Sequence, residues 1–175
     1  SLKQLLTKEK PKSVLELGSG SSTVVFVDYI RKNPGAYLTS LDESEHWLTN
    51  SKKLASISEN ESRIEMIYAP RICKICTNPK ETKYDYKFSK PYDFVMVDGP
   101  SLTINGIRDK TTINSNIFDI VEINPPKTIV VDIRKSTVDA IQERLGSFYS
   151  LQISDVIRRK IYPGYRYFSI FKARI

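Results

Sequence analysis

The segment VLELGSGSS, residues 14–22, carries the strongest structural signal in this sequence. A short apolar run leads into Gly18-Ser19-Gly20, and a helix-like pattern begins at Ser22. The two glycines allow a sharp turn and let a ligand approach the backbone without a Cβ in the way. The helix that follows presents unpaired N–H groups, which attract an anionic or polar ligand. We therefore predict a ligand-binding loop between the first strand and this helix.

The same loop departs from the dinucleotide-binding fingerprint in two ways. Thr23 stands where the pattern G-x-G-x-x-G has its third glycine. Glu16 lies two residues before the first glycine, where a negatively charged pyrophosphate has no use for a carboxylate. A ligand with a cationic amino group suits Glu16 better, so the loop favours such a ligand over a dinucleotide.

Strand-like and helix-like segments alternate along the chain, which predicts an α/β fold with a mostly parallel sheet. Polar, basic and aromatic residues dominate 71–90, which we interpret as a lid or an insertion. A C-terminal hairpin with a turn at Pro163-Gly164 is expected to add an antiparallel strand at the edge. The predicted strands are 13–17, 36–41, 63–68, 92–97, 128–132, 148–156 and 165–173. Two predicted helices have clear bounds, 22–32 and 136–145, the latter with Ser136 as N-cap. A third helix begins at Glu43 and has one apolar stripe, formed by Trp47, Leu48, Leu54 and Ala55. A fourth, short helix is indicated by Ile113, Ile117, Ile120 and Val121.

A second candidate site residue, Asp42, ends the second predicted strand, 22 residues after Gly20. In nucleoside-binding α/β sheets an acid near this point accepts hydrogen bonds from the ribose hydroxyls. Glu43 is adjacent and could share that role. The structural alternative is that Asp42 or Ser44 caps the next helix. Trp47, one turn further on, could stack on an adenine or pack in the core.

Four segments together resemble the class I S-adenosylmethionine-dependent methyltransferases: VLELGSGSS (14–22), SLD (40–42), YDFVMVDGP (92–100) and TIVVD (128–132). The likeness extends over nearly the whole chain and includes the C-terminal hairpin. It implies an enzyme with a three-layer Rossmann-like sandwich, a mostly parallel seven-stranded sheet and an antiparallel hairpin strand. It also implies one domain over 1–175 and S-adenosylmethionine as the cofactor.

The resemblance assigns roles to the loop residues one by one. Glu16 would lie near the amino end of the cofactor, Gly18 to Gly20 along its methionine part, and Asp42 at its ribose. A zwitterionic, sulfonium-bearing nucleoside agrees with the interpretation of Glu16 from the residues alone. The candidate cofactor-binding residues are Glu16, Gly18, Ser19, Gly20, Ser21, Ser22, Asp42, Glu43, Trp47 and Asp98.

The candidate catalytic residues are Asp98 and Arg108. Asp98 follows the fourth predicted strand, at the edge where α/β sheets bind ligands. It could orient the cofactor, act as a base or bind a metal, or it could simply be a turn acid before Gly99-Pro100. Arg108 could clamp an acidic group of the substrate, or lie solvated at the surface.

A divalent metal is a further, less favoured expectation. Asp98 and Asp132 end neighbouring predicted strands, and two such carboxylates could hold a hard cation. This is similar to the catechol-type O-methyltransferases, in which a metal binds acids at these strand ends. Those enzymes follow the second acid with an amide or another acid, whereas Ile133 and Arg134 follow here. Arg134 would oppose a metal and could instead pair with Asp132 or Asp98.

The composition excludes some classes of protein. The 175 residues are 40% hydrophobic and 27% charged, which excludes disorder as the dominant state. No apolar run reaches the length of a membrane span. The net charge of +7 fits an anionic partner or simple solubility. Cys73 and Cys76 are interpreted as reduced thiols of a cytoplasmic protein, with a zinc ion shared between two copies as the alternative.

Three functions stay open at this point. The first is methyl transfer, O-directed, to a small-molecule or sugar-type acceptor. The second is an RNA- or nucleotide-directed methyltransferase, supported by the charge and by the basic-aromatic stretches 83–88 and 158–162. The third is a non-catalytic nucleoside-binding module with a relict pocket. Asn124-Pro125-Pro126 lies before the fifth predicted strand rather than after the fourth, which argues against adenine-N6 chemistry.

Overall fold

A computed structural model describes residues 1–104, 106–153 and 168–174. The helices are α1 Leu2–Glu9, α2 Ser21–Lys32, α3 Glu45–Leu54, α4 Asn116–Ile123 and α5 Lys135–Leu145. The strands are β1 Ser13–Leu17, β2 Tyr37–Asp42, β3 Ile64–Tyr68, β4 Arg71–Lys74, β5 Glu81–Tyr84, β6 Phe94–Val97, β7 Thr103–Ile104, β8 Ile107–Arg108, β9 Ile113–Asn114, β10 Thr128–Val131, β11 Tyr149–Ile153 and β12 Ser169–Ala173.

Seven of these strands form one sheet in the order β11-β12-β10-β6-β1-β2-β3. The neighbours from β10 to β3 pair in parallel, while β12 runs antiparallel to both β10 and β11. The predicted fold class is therefore confirmed. The predicted turn at Pro163-Gly164 lies outside the described residues.

Alternating side chains of the central strands divide the core into two layers. Val14 of β1 and Met96 of β6 pack with α1 and α2 on one face of the sheet. Leu15 and Val97 pack with α4 and α5 on the other face. Because successive strand residues point to opposite faces, fully buried strands such as these read as continuous apolar runs. Glu16 lies on the face that α2 covers, which places its carboxylate beneath the start of that helix.

Segment 71–90 forms part of a second, three-stranded sheet in the order β4-β5-β9. The third strand, β9, comes from a region that the sequence assigned to a helix: Ile113 pairs with Glu81, and α4 begins only at Asn116. Tyr84 and Phe88 are buried in the main core. The segment is thus anchored to the domain, and a role as a lid stays a prediction.

Two helix predictions were wrong in detail. Trp47 and Leu54 do not belong to a buried stripe of α3, since they are 57% and 64% exposed. Leu48 and Ser51 face the core instead. The helix α5 begins one residue earlier than expected, with Arg134 rather than Ser136 in the N-cap position. The Ser136 hydroxyl instead donates to the carbonyl of Lys110, a contact between distant segments that no local pattern reveals.

Within the described ranges, no helix is both long enough and apolar enough to cross a membrane.

Candidate functional site

A cavity of about 540 Å³ opens at the carboxyl ends of β1, β2 and β6. Open α/β sheets bind ligands at this edge, and the volume lies within the usual range for small-molecule sites. Two segments border it, which we name the glycine loop (residues 18–21) and the strand-end loop (residues 98–103). The lining residues are Gly18, Ser19, Gly20, Ser21, Asp42, Glu43, Ser44, Trp47, Asn50, Ser51, Leu54, Tyr84, Asp98, Gly99, Ser101 and Arg134.

The two glycines of the glycine loop have different functions. Gly18 has φ +100°, and a Cβ there would lie 2.7 Å from the Gly99 nitrogen. The glycine loop therefore packs directly against the strand-end loop, backbone to backbone. A Cβ on Gly20 would meet no atom within 4 Å, because this glycine faces the open cavity. A glycine is needed at position 18 because of its positive φ and its close contact with Gly99, whereas the glycine at position 20 leaves room for a ligand.

Asp42 lies at the cavity wall and fixes the loops around it. One of its carboxylate oxygens, Oδ2, accepts hydrogen bonds from both the backbone nitrogen and the hydroxyl of Ser19, each at 2.9 Å. The other oxygen, Oδ1, accepts from the backbone nitrogen of Ser44 at 2.9 Å. The carboxylate is thus held in one orientation, and its remaining lone pairs are available to hydroxyl donors.

Glu16 is brought near the loop but not to the cavity surface. It is fully buried, and its carboxylate accepts hydrogen bonds from the hydroxyls of Ser22, Thr23 and Ser40 at 2.6–2.7 Å. Burial raises the pKa of Glu16 to about 7, against the lowering effect of these three donors. Its position supports the start of α2 from below, and Ser22 turns toward Glu16 instead of lining the cavity.

The exposed face of α3 forms one side of the cavity. Trp47, Asn50 and Leu54 are three, four and seven residues apart and share this helix face, while the buried Ser51 lies at its edge toward the core. The sequence left Trp47 with two interpretations, and its 57% exposure excludes the interpretation as a core residue. An indole and a leucine side chain therefore line the cavity without being packed in the core.

Tyr84 and Glu43 connect the two sides of the site. Tyr84 comes from the second sheet, and its hydroxyl lies 2.1 Å from where a Cβ on Gly99 would be. Burial, together with the nearby acids Glu43 and Asp42, raises the pKa of Tyr84. Glu43 accepts a hydrogen bond from the backbone nitrogen of Ser101 at 2.9 Å. Sequence reasoning missed Tyr84 because its segment reads as a polar excursion, with no motif that points to the site.

The strand-end loop is fixed through its backbone carbonyls. Asn114 donates to the carbonyl of Gly99 at 2.7 Å. Arg71 donates to those of Ser101 and Thr103 at 2.9 and 2.6 Å. The guanidinium of Arg134 donates to the carbonyls of Asp98 and Pro100. These three side chains come from β4, β9 and the start of α5, so none of them is local to the loop in sequence.

Two carboxyl groups meet at the base of the strand-end loop. Asp98 faces the cavity, and its carboxyl is close enough to that of Asp132 for the two acids to interact electrostatically. The residue keeps solvent access on its cavity side, while loss of hydration on the protein side and the neighbouring acid raise the pKa of Asp98, and Arg134 opposes the effect. Arg134 is 8% exposed, and its Nε lies 3.0 Å from Asp132 Oδ1. The predicted pairing between Arg134 and Asp132 is therefore present.

The residues at this point do not fit a divalent metal. A guanidinium already contacts the Asp132 carboxylate from which a cation would need an oxygen ligand. In the parts of the chain that the structure describes, no group of three or more His, Cys, Asp or Glu side chains is arranged to hold a metal ion.

Most of the predicted site residues converge on the cavity, and four do not: Glu16, Ser22, Arg108 and the candidate metal ligand Asp132. Glu16 and Ser22 lie behind the glycine loop, as described above. Arg108 is exposed on the β7–β8 hairpin and does not line the cavity. That hairpin continues from the strand-end loop, so Arg108 lies on the chain segment beyond Asp98 rather than beside it.

Comparison with solved structures identifies the fold. The SAH-bound methyltransferase PaMTH1 of Podospora anserina matches with a TM-score of 0.63 and 14% identity, over 99% of this chain and 76% of its own. A candidate rRNA-methylase from Clostridium thermocellum matches with a TM-score of 0.62 and 13% identity, over 99% and 97%. The O-methyltransferase from Bacillus cereus in complex with SAH matches with a TM-score of 0.58 and 13% identity, over 99% of this chain and 79% of its own. No family model and no curated protein matches the sequence. The chain therefore has the Rossmann-like fold of the class I methyltransferases, as the four sequence segments predicted.

Proposed function

We propose that this protein is an S-adenosylmethionine-dependent methyltransferase that acts on an oxygen of a small-molecule or sugar-type acceptor. The observation that carries the proposal is the joint lining of one cavity by Gly20, Asp42 and Trp47. These residues supply an open backbone, an oriented carboxylate and an exposed aromatic ring. A nucleoside with an amino-acid tail requires all three. The shared fold and its SAH-bound neighbours support the same assignment.

The cofactor would be held by the half of the cavity between the glycine loop and α3. Asp42 would accept the ribose hydroxyls, since its oxygens are oriented by Ser19 and Ser44. Trp47 would stack on the adenine, and the open face of Gly20 would admit the methionine part. When bound, S-adenosylmethionine supplies an electrophilic methyl group on its sulfonium sulfur.

The acceptor would be held by the half of the cavity beside the strand-end loop. Methyl transfer needs the acceptor oxygen to be held in line and its proton to be removed. Asp98 is the cavity carboxylate with a raised pKa, so it holds a proton more strongly than an ordinary aspartate. We assign it the role of general base, which takes the hydroxyl proton while Arg134 and Asn114 keep the loop in place.

An RNA acceptor is the second candidate. The net charge of +7 and the likeness to a candidate rRNA-methylase favour it. The 83–88 stretch argues against a stacking surface there, because Tyr84 and Phe88 are 1% and 6% exposed. The other basic-aromatic stretch, 158–162, lies outside the described residues. A small hydroxyl or carboxyl acceptor is therefore preferred.

The first experiment is a calorimetric titration with S-adenosylhomocysteine, with NAD as the control ligand. We expect micromolar binding of S-adenosylhomocysteine and none of NAD. The variant Asp42→Asn keeps the shape of the side chain and one acceptor oxygen, and should weaken binding about tenfold, or 1.4 kcal/mol. Circular dichroism of the variant serves as the control for folding. Failure of the native protein to bind S-adenosylhomocysteine would overturn the proposal.

The second experiment separates the three functions. Transfer of labelled methyl groups from S-adenosylmethionine is measured with catechol, glucuronic acid and a short single-stranded RNA as acceptors. Labelled catechol or glucuronic acid supports the proposal, whereas labelled RNA alone selects the second candidate. Cofactor binding without transfer to any acceptor in this panel would favour the non-catalytic module. A cytoplasmic location stays a prediction, consistent with the free thiols of Cys73 and Cys76.

A further inference from the structure

The geometry points to Arg134 as an internal cation that takes the place of a divalent metal between the ends of β6 and β10. The guanidinium is nearly enclosed by protein, with 8% of the residue exposed. A buried charge is tolerated only where polar partners surround it. The inference concerns these contacts alone, so it does not depend on methyl transfer.

Three oxygens converge on the guanidinium from two strand ends. Nε lies 3.0 Å from Asp132 Oδ1, and the two terminal nitrogens donate to the carbonyls of Pro100 and Asp98. One carboxylate and two backbone carbonyls make up an all-oxygen donor set of the kind that hard divalent cations select.

The planar guanidinium has a geometric advantage over a metal ion here. Its terminal nitrogens donate to two carbonyls in different directions, while Nε lies in ion-pair contact with the Asp132 carboxylate. It is also covalently attached at the start of α5, so it cannot be lost to a chelator. Arg134 therefore offsets the charge of Asp132 and fixes the strand-end loop without a bound ion.

Removal of the guanidinium should expose this donor set to solvent cations. In the cofactor-free protein, we expect Arg134→Ala to bind Mn²⁺ with a Kd below about 1 mM, the weak end of protein cation sites. The native protein should bind Mn²⁺ at least about tenfold more weakly. The double variant Arg134→Ala with Asp132→Asn should lose the gained binding. Calorimetry and the electron paramagnetic resonance of Mn²⁺ measure these differences directly.

Arg71→Ala is the matched control. Arg71 also donates to two carbonyls of the strand-end loop, those of Ser101 and Thr103, but among the described residues it forms no ion pair with an acid. It should gain no Mn²⁺ binding. If Arg71→Ala gains as much as Arg134→Ala, the effect comes from loosening of the loop and the inference is wrong.

The outcome stays decisive even if Arg134→Ala is unstable. Folding of this variant only in the presence of Mn²⁺ would support the inference. A folded Arg134→Ala that neither binds nor is stabilised by Mn²⁺ would overturn it. If the variant folds neither with nor without Mn²⁺, the test is made on the native protein. Native Mn²⁺ binding that disappears in Asp132→Asn would contradict an internal cation. A native melting temperature that changes with neither Mn²⁺ nor EDTA would support an internal cation. Titration with S-adenosylhomocysteine is a separate measurement, so either proposal can fail without the other.

Discussion

The two loops that border the cavity are held in place by different means. The glycine loop depends on its own backbone and on Asp42, which lies at the end of the next strand. The strand-end loop is held through carbonyl oxygens by side chains from three distant segments, Arg71, Asn114 and Arg134. One loop leaves open space beside Gly20, whereas the other has its carbonyls occupied by protein donors.

Under the proposed function, this difference separates the half of the site that binds the cofactor from the half that holds Asp98 in place. The open backbone and the exposed Trp47 leave the glycine-loop side ready for a ligand. The strand-end loop gives Asp98 a fixed backbone position, because the carbonyls on both sides of Gly99 accept from Arg134. A general base gains from such fixation, since catalysis depends on the placement of the proton acceptor.

The largest expected effect comes from the contact between the two loops. Gly18→Ala puts a Cβ at φ +100° and within 2.7–2.9 Å of backbone atoms of Asp98 and Gly99. Left-handed strain and overpacking together should lower the free energy of unfolding by about 2–5 kcal/mol, measured by urea denaturation. Gly20→Ala is the matched control, because its Cβ meets no atom within 4 Å. It should keep stability and lose affinity for S-adenosylhomocysteine, and equal stability losses in both variants would contradict the assignment.

A pH effect of about 3 kcal/mol is expected from Glu16. Burial raises its pKa to about 7 in the folded protein, against 4.5 for a solvated glutamate, so the folded state binds the proton more strongly. The resulting stabilisation is fully present below pH 4.5 and is lost as the pH rises through 7. Relative to Glu16→Gln, the native protein should therefore lose up to about 3 kcal/mol of unfolding free energy across this interval. Parallel stability curves for the two proteins would show that Glu16 does not titrate in this way.

A smaller effect, on binding only, is expected from Trp47. Stacking of a base on an aromatic side chain contributes about 1–3 kcal/mol. Trp47→Ala should therefore weaken S-adenosylhomocysteine binding about tenfold or more, with little change in stability because the side chain is largely exposed. Phe148→Ala removes an aromatic of 59% exposure that does not line the cavity, and it should bind like the native protein. If both variants bind normally, the adenine lies elsewhere.

The smallest effect is expected from Arg108. It is exposed and outside the cavity lining, so Arg108→Ala should change the unfolding free energy by less than about 0.5 kcal/mol and leave cofactor binding unaltered. If Arg108 clamps an acidic acceptor, the KM for glucuronic acid should rise while kcat is retained. A loss of S-adenosylhomocysteine affinity as large as that of Trp47→Ala would place Arg108 on the cofactor side instead.

Local sequence was informative where one short segment determines the geometry. The predicted strand, glycines and helix of VLELGSGSS are all present, and Asp42 ends β2 at the cavity. The assignment of Trp47 and Leu54 to a buried stripe was wrong because helical spacing shows which residues share a face but not what that face meets. Ile113 was assigned to a helix, yet it lies in a strand that pairs with β5. The sequence around Ile113 could not show this, because the pairing strand is 81–84, about thirty residues earlier in the chain.

The sequence by itself determined the α/β order, the glycine loop and the acids at the strand ends. Each of these follows from backbone preferences or hydrophobic spacing within a few residues. The tertiary structure decided that Glu16 is buried behind the loop, that Tyr84 enters the site from the second sheet, and that Arg134 occupies the space between two strand ends. Those outcomes depend on contacts between segments far apart in the chain, where burial and charge pairing, rather than local preference, fix the position of a side chain.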